Sequence, residues 1–191
     1  IRMASLERTA YPQFLSYYSP SDLRQFFTLQ DEEINWLKSA GRSAGTRLGL
    51  AVLLKVFQHL RYFPSLDKIP SEVITHVRNG LGFGDAIRIE YPVERTLFRH
   101  KAMVLGLLNV KPFHGHDAMR QAERFACDAA ELMDQRADII NGIIEGVLQA
   151  RYELPAFSTL DDLAEKAHAA VQNRVFGKVF HRITPQQLEA L

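Results

Sequence analysis

The most regular feature of the chain is an apolar side chain at every fourth position within its first third. Four residues follow this spacing and therefore share one face of a helix: Leu48, Val52, Val56 and Leu60. Further leucines and a phenylalanine widen the face, which predicts a nearly central helix from about Ser43 to Tyr62. Isoleucine, valine and leucine recur at helical spacing between Ala137 and Tyr152 and predict another buried helix.

Weaker apolar spacing and helix-end sequences predict the remaining elements. A further helix is expected at about 31–40, after a capping box at 28–31. Others are expected at 71–81, at 93–109, from the loop at 114–117 to about 133, at 160–180 and from 184 onward. Residues 1–20 show no clear period and predict an irregular arm packed on the body, before one or two helical turns that end at Phe27. The predicted fold class is all-α, with eight or nine helices and some helix-turn-helix character.

One short stretch departs from the helical pattern. Ile87, Ile89 and Tyr91 alternate with charged residues, as in a half-buried strand, but the alternation covers few positions. The glycine-rich sequence at 80–84 predicts a turn that is either a hinge or packed solid. We therefore expect two helical subdomains, 1–88 and 89–191.

A sharp corner between two helices is predicted at residues 151–163. Pro155 cannot continue the preceding helix, and the residue before a proline is disfavoured in the helical conformation. Ser158 or Thr159 can then cap the next helix, and either of the two aspartates that follow can complete a capping box. Helices joined in this way can form a helix-turn-helix, whose second helix can lie in the major groove of DNA, although many such corners serve packing alone.

Charge is divided unevenly along a chain whose formal net charge is only +1. Residues 41–111 contain eleven Lys and Arg against five Asp and Glu, whereas residues 112–191 contain eight against twelve. Within that acidic part, residues 166–182 contain four basic residues and no acidic one. This segregation is typical of a surface that meets a polyanion, although a basic face exposed only to solvent produces the same pattern.

Catalytic and metal chemistry have weaker support. The loop at 114–117 offers two histidines and an aspartate, but a metal site needs three or four converging ligands, so we interpret it as a polar loop. The glycines of 80–84 lack the flanking strand, helix and lysine of a phosphate-binding loop. Cys127, the single cysteine, lies among small residues of a predicted helix. We therefore expect it to be a small side chain in the core. We expect no catalytic residue, metal, cofactor or membrane segment.

Clusters of basic residues are the better candidates for a function. They comprise Arg95, Arg99 and Lys101 near the start of one predicted helix, Arg42 and Arg47 near the central helix, and Arg174, Lys178 and Arg182 near the C-terminus. A single surface cation is usually only solvated, but several clusters in a nearly neutral chain favour contact with nucleic-acid phosphates.

Several segments are distinctive in combination. They are 6–12, 47–54, 58–64, the pairs Arg95-Thr96 and Arg99-His100, and 151–163, which is the strongest. Through these segments, which span nearly the whole chain, the sequence resembles the N-terminal region of the replicative DDE transposases of class II bacterial transposons, the Tn-three family.

The resemblance implies that this region binds the terminal inverted repeats of a transposon through tandem helical units. It also implies that catalysis belongs to a C-terminal RNase H-like domain with a DDE triad and a divalent metal, which lies beyond these 191 residues. We therefore expect a non-catalytic region whose partners are double-stranded repeat DNA and the rest of the transposase chain. The expected location is the bacterial cytoplasm, at the nucleoid when DNA is bound. The resemblance leaves open whether the full-length protein is a homodimer.

The candidate DNA-binding residues combine the resemblance with the charge pattern. They are Arg95, Thr96, Arg99, His100, Ser158, Thr159, Lys166 and Arg174, with Arg42, Arg47 and Lys55 as a weaker set. Ser158 and Thr159 are included because hydroxyls and backbone N–H groups at a helix start can contact phosphate or base edges. The alternative is a helical protein-interaction module of the transposition complex, which the aromatic N-terminal arm favours.

Overall fold

The computed structural model describes the backbone of residues 6–40 and 43–180 and the side chains of residues 7–40 and 43–174. Over these residues the fold is all-α, as predicted, with no strand. The helices are α1 (Pro20–Phe27), α2 (Asp31–Ala40), α3 (Ala44–Leu60), α4 (Ser71–Gly80), α5 (Glu94–Leu107), α6 (Gly115–Leu132), α7 (Arg136–Gln149) and α8 (Phe157–Phe180), with short 3-10 helices at Leu6–Arg8 and Leu66–Lys68. The helix predicted from residue 184 lies outside the described residues.

The chain folds into two compact units. The central unit comprises residues 12–112 with α1–α5, and the terminal unit comprises residues 1–11 and 113–191 with α6–α8. The division therefore lies at 112/113 and not at the expected 88/89. The difference arises because α5 packs on α3, so that Val104 and Leu105 belong to the central core.

Helix α3 is the centre of the central unit, as the four-residue spacing predicted. It begins after Ser43, whose hydroxyl accepts a hydrogen bond from the backbone N–H of Thr46 at 3.2 Å. It ends at Leu60, and the following residue, Arg61, adopts a left-handed conformation with φ 65°. Every residue from Leu48 to Phe57 is buried, because α1, α2, α4 and α5 surround this helix.

The segment at 87–91 is extended but forms no strand. Its three apolar residues are half-buried against the central core, whereas the two charged residues between them are exposed. The alternation in sequence thus predicted which side chains are covered. What covers them is the surface of a helix and not a neighbouring strand.

Two glycines in α3 allow this extended segment to approach closely. A Cβ atom at Gly45 would lie 2.8 Å from the backbone oxygen of Arg88, and one at Gly49 would lie 2.7 Å from the ring of Tyr91. Both distances are shorter than ordinary van der Waals contact, so a side chain at either position would push the segment away.

The glycine-rich turn after α4 is held against the central unit. The backbone N–H of Phe83 donates to the carbonyl oxygen of Arg78 at 3.1 Å, and the guanidinium of Arg78 lies 3.2 Å from Asp85. Leu81 and Phe83 pack against the core. Of the two alternatives for this turn, the packed one is therefore observed.

The start of α2 differs in detail from the expected capping box. The backbone N–H of Gln30 donates to Glu33 Oε2 at 2.8 Å, so Gln30 precedes the helix in place of Thr28. The Thr28 hydroxyl instead lies 3.0 Å from His76 Nε2 in α4. This bond connects the loop before α2 to a neighbouring helix.

In the terminal unit each of α6, α7 and α8 packs on the other two. Glycines again allow close approach, since a Cβ at Gly142 of α7 would lie 2.8 Å from Ala129 Cβ, and one at Gly146 would lie 2.5 Å from Phe125 Cγ. The apolar face of α6 is built from alanines. Cys127 lies off that face and is exposed, which corrects its expected place in the core.

The corner between α7 and α8 begins earlier than predicted. Helix α7 ends at Gln149, and the left-handed Arg151, with φ 60°, turns the chain before the proline is reached. Pro155 and the leucine before it are buried. Helix α8 starts at Phe157, so Ser158 and Thr159 lie inside its first turn and are not the predicted caps.

Neither aspartate after the corner lies in the first turn of α8, and the first of them forms an ion pair with α7. Asp161 is buried, and its Oδ1 lies 2.7 Å from Arg136 Nε at the start of α7. The same guanidinium lies 3.0 Å from Glu165 Oε2, one turn further along α8. Arg136 therefore links α7 to α8 through ion pairs with two carboxylates.

The N-terminal arm is packed on the terminal unit. The backbone N–H of Ala10 donates to Asn141 Oδ1 at 2.7 Å, and the ring of Tyr11 meets that of Phe157 edge-on at 5.6 Å. The prediction of an irregular arm packed on the body is confirmed for these residues. No helix within the described ranges has both the length and the apolar character needed to cross a membrane.

Candidate nucleic-acid interface

The outer face of α5 carries two arginines of the first predicted cluster. Arg95 and Arg99 are both exposed and lie one helical turn apart. Across residues 7–40 and 43–174, no carboxylate forms an ion pair with either guanidinium. Their charges are therefore available to an anionic partner.

His100 lies on the opposite side of α5 and is only 1% exposed. Its Nδ1 is 2.9 Å from the hydroxyl of Tyr91, and the two rings meet edge-on at 5.4 Å. Burial, and then the charge of Arg99, lower the pKa of His100, while burial raises the pKa of Tyr91. His100 is thus a neutral side chain that attaches α5 to the extended segment, and we leave it out of the DNA-binding surface.

Two neighbours in this cluster are only partly accessible. Thr96 is half-buried in the first turn of α5, where its backbone N–H donates to the carbonyl oxygen of Val93 at 2.9 Å. The ammonium of Lys101 lies 5.5 Å from the ring centroid of Phe63. The exposed positive charge of α5 therefore comes from its two arginines, and Glu94 at the start of the helix is an exposed acid beside them.

The weaker set near α3 is not available as a group. Arg42 lies outside the described residues, and Arg47 is half-buried with partners inside the protein. Lys55 is buried, with its Nζ 3.2 Å from Glu33 Oε2, and Gln58 Nε2 donates to Glu33 Oε1 at 2.7 Å. This ion pair corrects the expectation that Lys55 faces solvent.

The remaining candidate DNA-binding residues form a second cluster along α8, in the terminal unit, and comprise Ser158, Thr159, Lys166 and Arg174. Ser158 and Lys166 are exposed, Thr159 is half-buried, and no ion pair engages Lys166 among the residues with described side chains. Arg174 is exposed too, but its guanidinium lies 2.8 Å from Glu131 of α6. The two clusters thus belong to different units.

Arginines on α6 show the opposite arrangement to those on α5. Arg120 lies 2.6 Å from Asp117, and Arg124 lies 3.8 Å from Asp128, all on the exposed surface of one helix. Their charges are neutralised locally. The arginines of α5 and α6 therefore differ in whether they form an ion pair among the described side chains.

One exposed residue was missed by the reasoning from sequence. Phe98 is 60% exposed and lies between the two arginines of α5. An aromatic residue within a helix is usually expected to face the core. The helical spacing gives only a partial signal, because Phe98 lies between the side of the exposed Arg95 and the side of the buried Leu105, which follows it by seven residues.

The polar loop at the start of α6 offers no assembled metal site. Asp117 is engaged by Arg120, and the two histidines beside it are exposed. No group of three or more His, Cys, Asp or Glu is arranged to hold a metal ion in the part of the chain that the structure describes. The basic residues of α5 and α8 remain the best candidates for a functional surface.

Comparison with known proteins places the chain in a family. No curated protein matches it. A family described as a domain of unknown function, DUF4158, matches residues 3–167. The match includes the whole of α1–α7, the corner and the first turns of α8. The chain therefore belongs to the DUF4158 family.

Proposed function

We propose that this chain is the inverted-repeat-binding region of a Tn-three family replicative transposase. It binds double-stranded DNA at the transposon ends and performs no catalytic step itself. The resemblance of segments such as 47–54 and 151–163 to that family supports the proposal. The rest of the transposase chain supplies the catalytic domain and is its second partner.

The observation that carries the proposal is the pair of exposed arginines on α5. Arg95 and Arg99 project from one face of a helix that is anchored by Val104 and His100 on its other side. Neither arginine has a carboxylate partner within the described side chains. A helix that presents two neighbouring guanidinium groups without ion pairs can contact the phosphates of a nucleic-acid backbone.

The terminal unit supports a second region of contact. Ser158 is exposed in the first turn of α8, and Lys166 continues the same outer face two turns later. The helix is held by the buried ion pair of Arg136 with Asp161, so its outer face has a fixed orientation within the unit. We therefore propose a bipartite DNA-binding region with one contact surface in each unit.

Fluorescence anisotropy tests the proposal directly. The chain is titrated into a labelled duplex with the terminal inverted repeat of its transposon and into a scrambled duplex of equal length, across a salt series. With about six phosphate contacts, log K should fall with log salt with a slope near −5. Tighter binding to the repeat supports end recognition, equal binding leaves only an electrostatic DNA binder, and no binding at low salt refutes the proposal.

A pair of double variants identifies the surface involved. Arg95→Ala with Arg99→Ala should weaken binding and make the salt slope less steep by about two, since two phosphate contacts are lost. Arg120→Ala with Arg124→Ala removes the same charge from α6, where both arginines are already paired, and should change the slope much less. Equal effects of the two double variants would contradict the assignment to α5.

The alternative function is a protein-interaction module of the transposition complex. It is favoured by Tyr17, which is 70% exposed in the segment before α1, and by the exposed Leu15 nearby. This alternative predicts that Leu15→Ser with Tyr17→Ser weakens association with the remainder of the transposase while DNA binding is unchanged. Loss of DNA binding in that variant would argue against a purely protein-binding role.

A further inference from the structure

An exposed aromatic ring stands between the two arginines of α5. Phe98 is 60% exposed, and it lies three residues after Arg95 and one before Arg99. Exposed phenylalanine is unfavourable in water. Phe98 is not among the side chains packed against the central core, although the buried Leu105 follows it at a spacing of seven residues on the same helix. Packing in the central core therefore does not explain why a phenylalanine occupies this position.

The surroundings of Phe98 distinguish it from a hydrophobic patch. At about 100° per residue, Phe98, Arg95 and Arg99 fall on one side of α5, together with Ala102 and Gly106. The other exposed apolar residue of the helix, Leu107, points about half a turn away. Phe98 is thus an isolated large apolar group beside two arginines, and the exposed Glu94 precedes it by one helical turn. The two guanidinium groups, which form no ion pair within the described side chains, favour a polyanion over an apolar protein surface as the partner.

The side chains on this face of α5 become smaller toward the C-terminal end of the helix. Ala102 and Gly106 carry little or no side chain, and a Cβ at Gly106 would meet no atom within 4 Å. The backbone of α5 can therefore approach a partner closely along this side. The DNA major groove is about 12 Å wide and admits one α-helix of this kind.

We propose that α5 lies in the major groove and that Phe98 contacts the C5-methyl group of a thymine, while Arg95 and Arg99 contact the flanking phosphates. This inference rests on the proposed DNA-binding function and specifies what the α5 surface reads. Thymine is the only base that presents a methyl group in the major groove, and phenylalanine is among the residues that contact it. The phenyl ring thus supplies sequence preference, and the guanidinium groups supply affinity.

Replacing thymine by deoxyuridine tests the contact, because the change removes the methyl group and keeps the base pair. Each thymine of the inverted-repeat duplex is replaced singly, and affinity for the full 191-residue chain is measured by anisotropy. At one or two positions the affinity should fall about fourfold, the effect of one methyl group returning to water. Phe98→Ala should bind thymine and deoxyuridine duplexes equally, whereas Phe98→Leu should retain part of the preference.

Leu107→Ala is the matched control, since it removes an exposed apolar side chain from the other side of the same helix. It should preserve the preference for thymine. Circular dichroism establishes that each variant is folded, which is expected for substitutions at exposed positions.

Three results would overturn the inference. The first is repeat-specific binding by the wild-type chain with no sensitivity to deoxyuridine at any position, which leaves the proposed function intact. The second is a Phe98→Ala variant that keeps the full thymine preference. The third is a wild-type dimer, detected by sedimentation, that Phe98→Ala dissociates while DNA affinity is unchanged. Absence of repeat-specific binding would instead remove the proposed function itself.

Discussion

The hydroxyl of Tyr11 donates a hydrogen bond to the carbonyl oxygen of Pro155 at 3.0 Å, across 144 residues of sequence. The bond joins the N-terminal arm to the corner between α7 and α8, and both partners are buried. The arm thus completes the terminal unit, although it precedes the central unit in the chain.

Replacing Tyr11 by phenylalanine should destabilise the terminal unit by about 1 kcal/mol. The aromatic contact with Phe157 is retained, while the buried carbonyl of Pro155 loses its donor. Urea unfolding followed by circular dichroism measures the change. Tyr17→Phe removes a hydroxyl from an exposed ring and should leave the unfolding midpoint unchanged, so equal effects of the two variants would contradict this role for Tyr11.

Gly49→Ala should destabilise the central unit by about 1–3 kcal/mol, because the new methyl group overlaps the ring of Tyr91. Gly106→Ala is the control in the same unit. Its methyl group meets no atom within 4 Å, and alanine favours a helix over glycine by about 1 kcal/mol, so this variant should be stabilised. Denaturation midpoints that shift in the same direction would show that the close approach at Gly49 is unimportant.

Glu33→Gln should destabilise the central unit by about 3 kcal/mol, since it leaves the buried ammonium of Lys55 without its counter-charge. Glu32→Gln, at the exposed neighbouring position, should change the free energy of unfolding by less than about 0.5 kcal/mol. Chemical denaturation at neutral pH distinguishes them. A stable Glu33→Gln protein would mean that Lys55 reaches water by rearrangement.

Acid should weaken the central unit through three histidines, His59, His76 and His100. Burial lowers the pKa of each, with a further lowering by Arg24 at His76 and by Arg99 at His100. Protonation is therefore more favourable in the unfolded chain, where the pKa is about 6.5. The contribution to stability is complete above that pH and is lost as the pH falls through the folded-state values.

Urea unfolding at pH 7.5, 6.5 and 5.5 measures this dependence. His100→Gln removes one of the three titrating groups and should reduce the slope of stability against pH. Stability that is constant or higher at pH 5.5 would contradict the prediction.

If α8 contacts DNA, Lys166→Ala should weaken repeat binding and make the salt slope less steep by about one. Arg174→Ala should have a smaller effect, because its guanidinium is already engaged by Glu131. Anisotropy across the salt series compares the two variants. A larger effect from Arg174 would show that the ion pair with Glu131 opens when DNA binds.

Local sequence patterns predict the helices and many of the side chains that they bury. The four-residue spacing that begins at Leu48 identified α3 as the central helix, and the alternation at 87–91 identified which side chains are covered. These predictions succeed because side-chain direction follows local backbone geometry. The exposure of Arg95 and Arg99 follows from the same periodicity, whereas their role in DNA binding stays a prediction.

Which helices pack against each other is known from the folded protein and not from these local patterns. The packing of α5 on α3 moved the unit boundary to 112/113 and buried His100 beneath Tyr91. Glu33 neutralised Lys55 from another helix. Such contacts join residues distant in sequence, and their free energies depend on neighbours that no local pattern specifies. The polar residues at these contacts were therefore the ones that sequence reasoning placed on the wrong side.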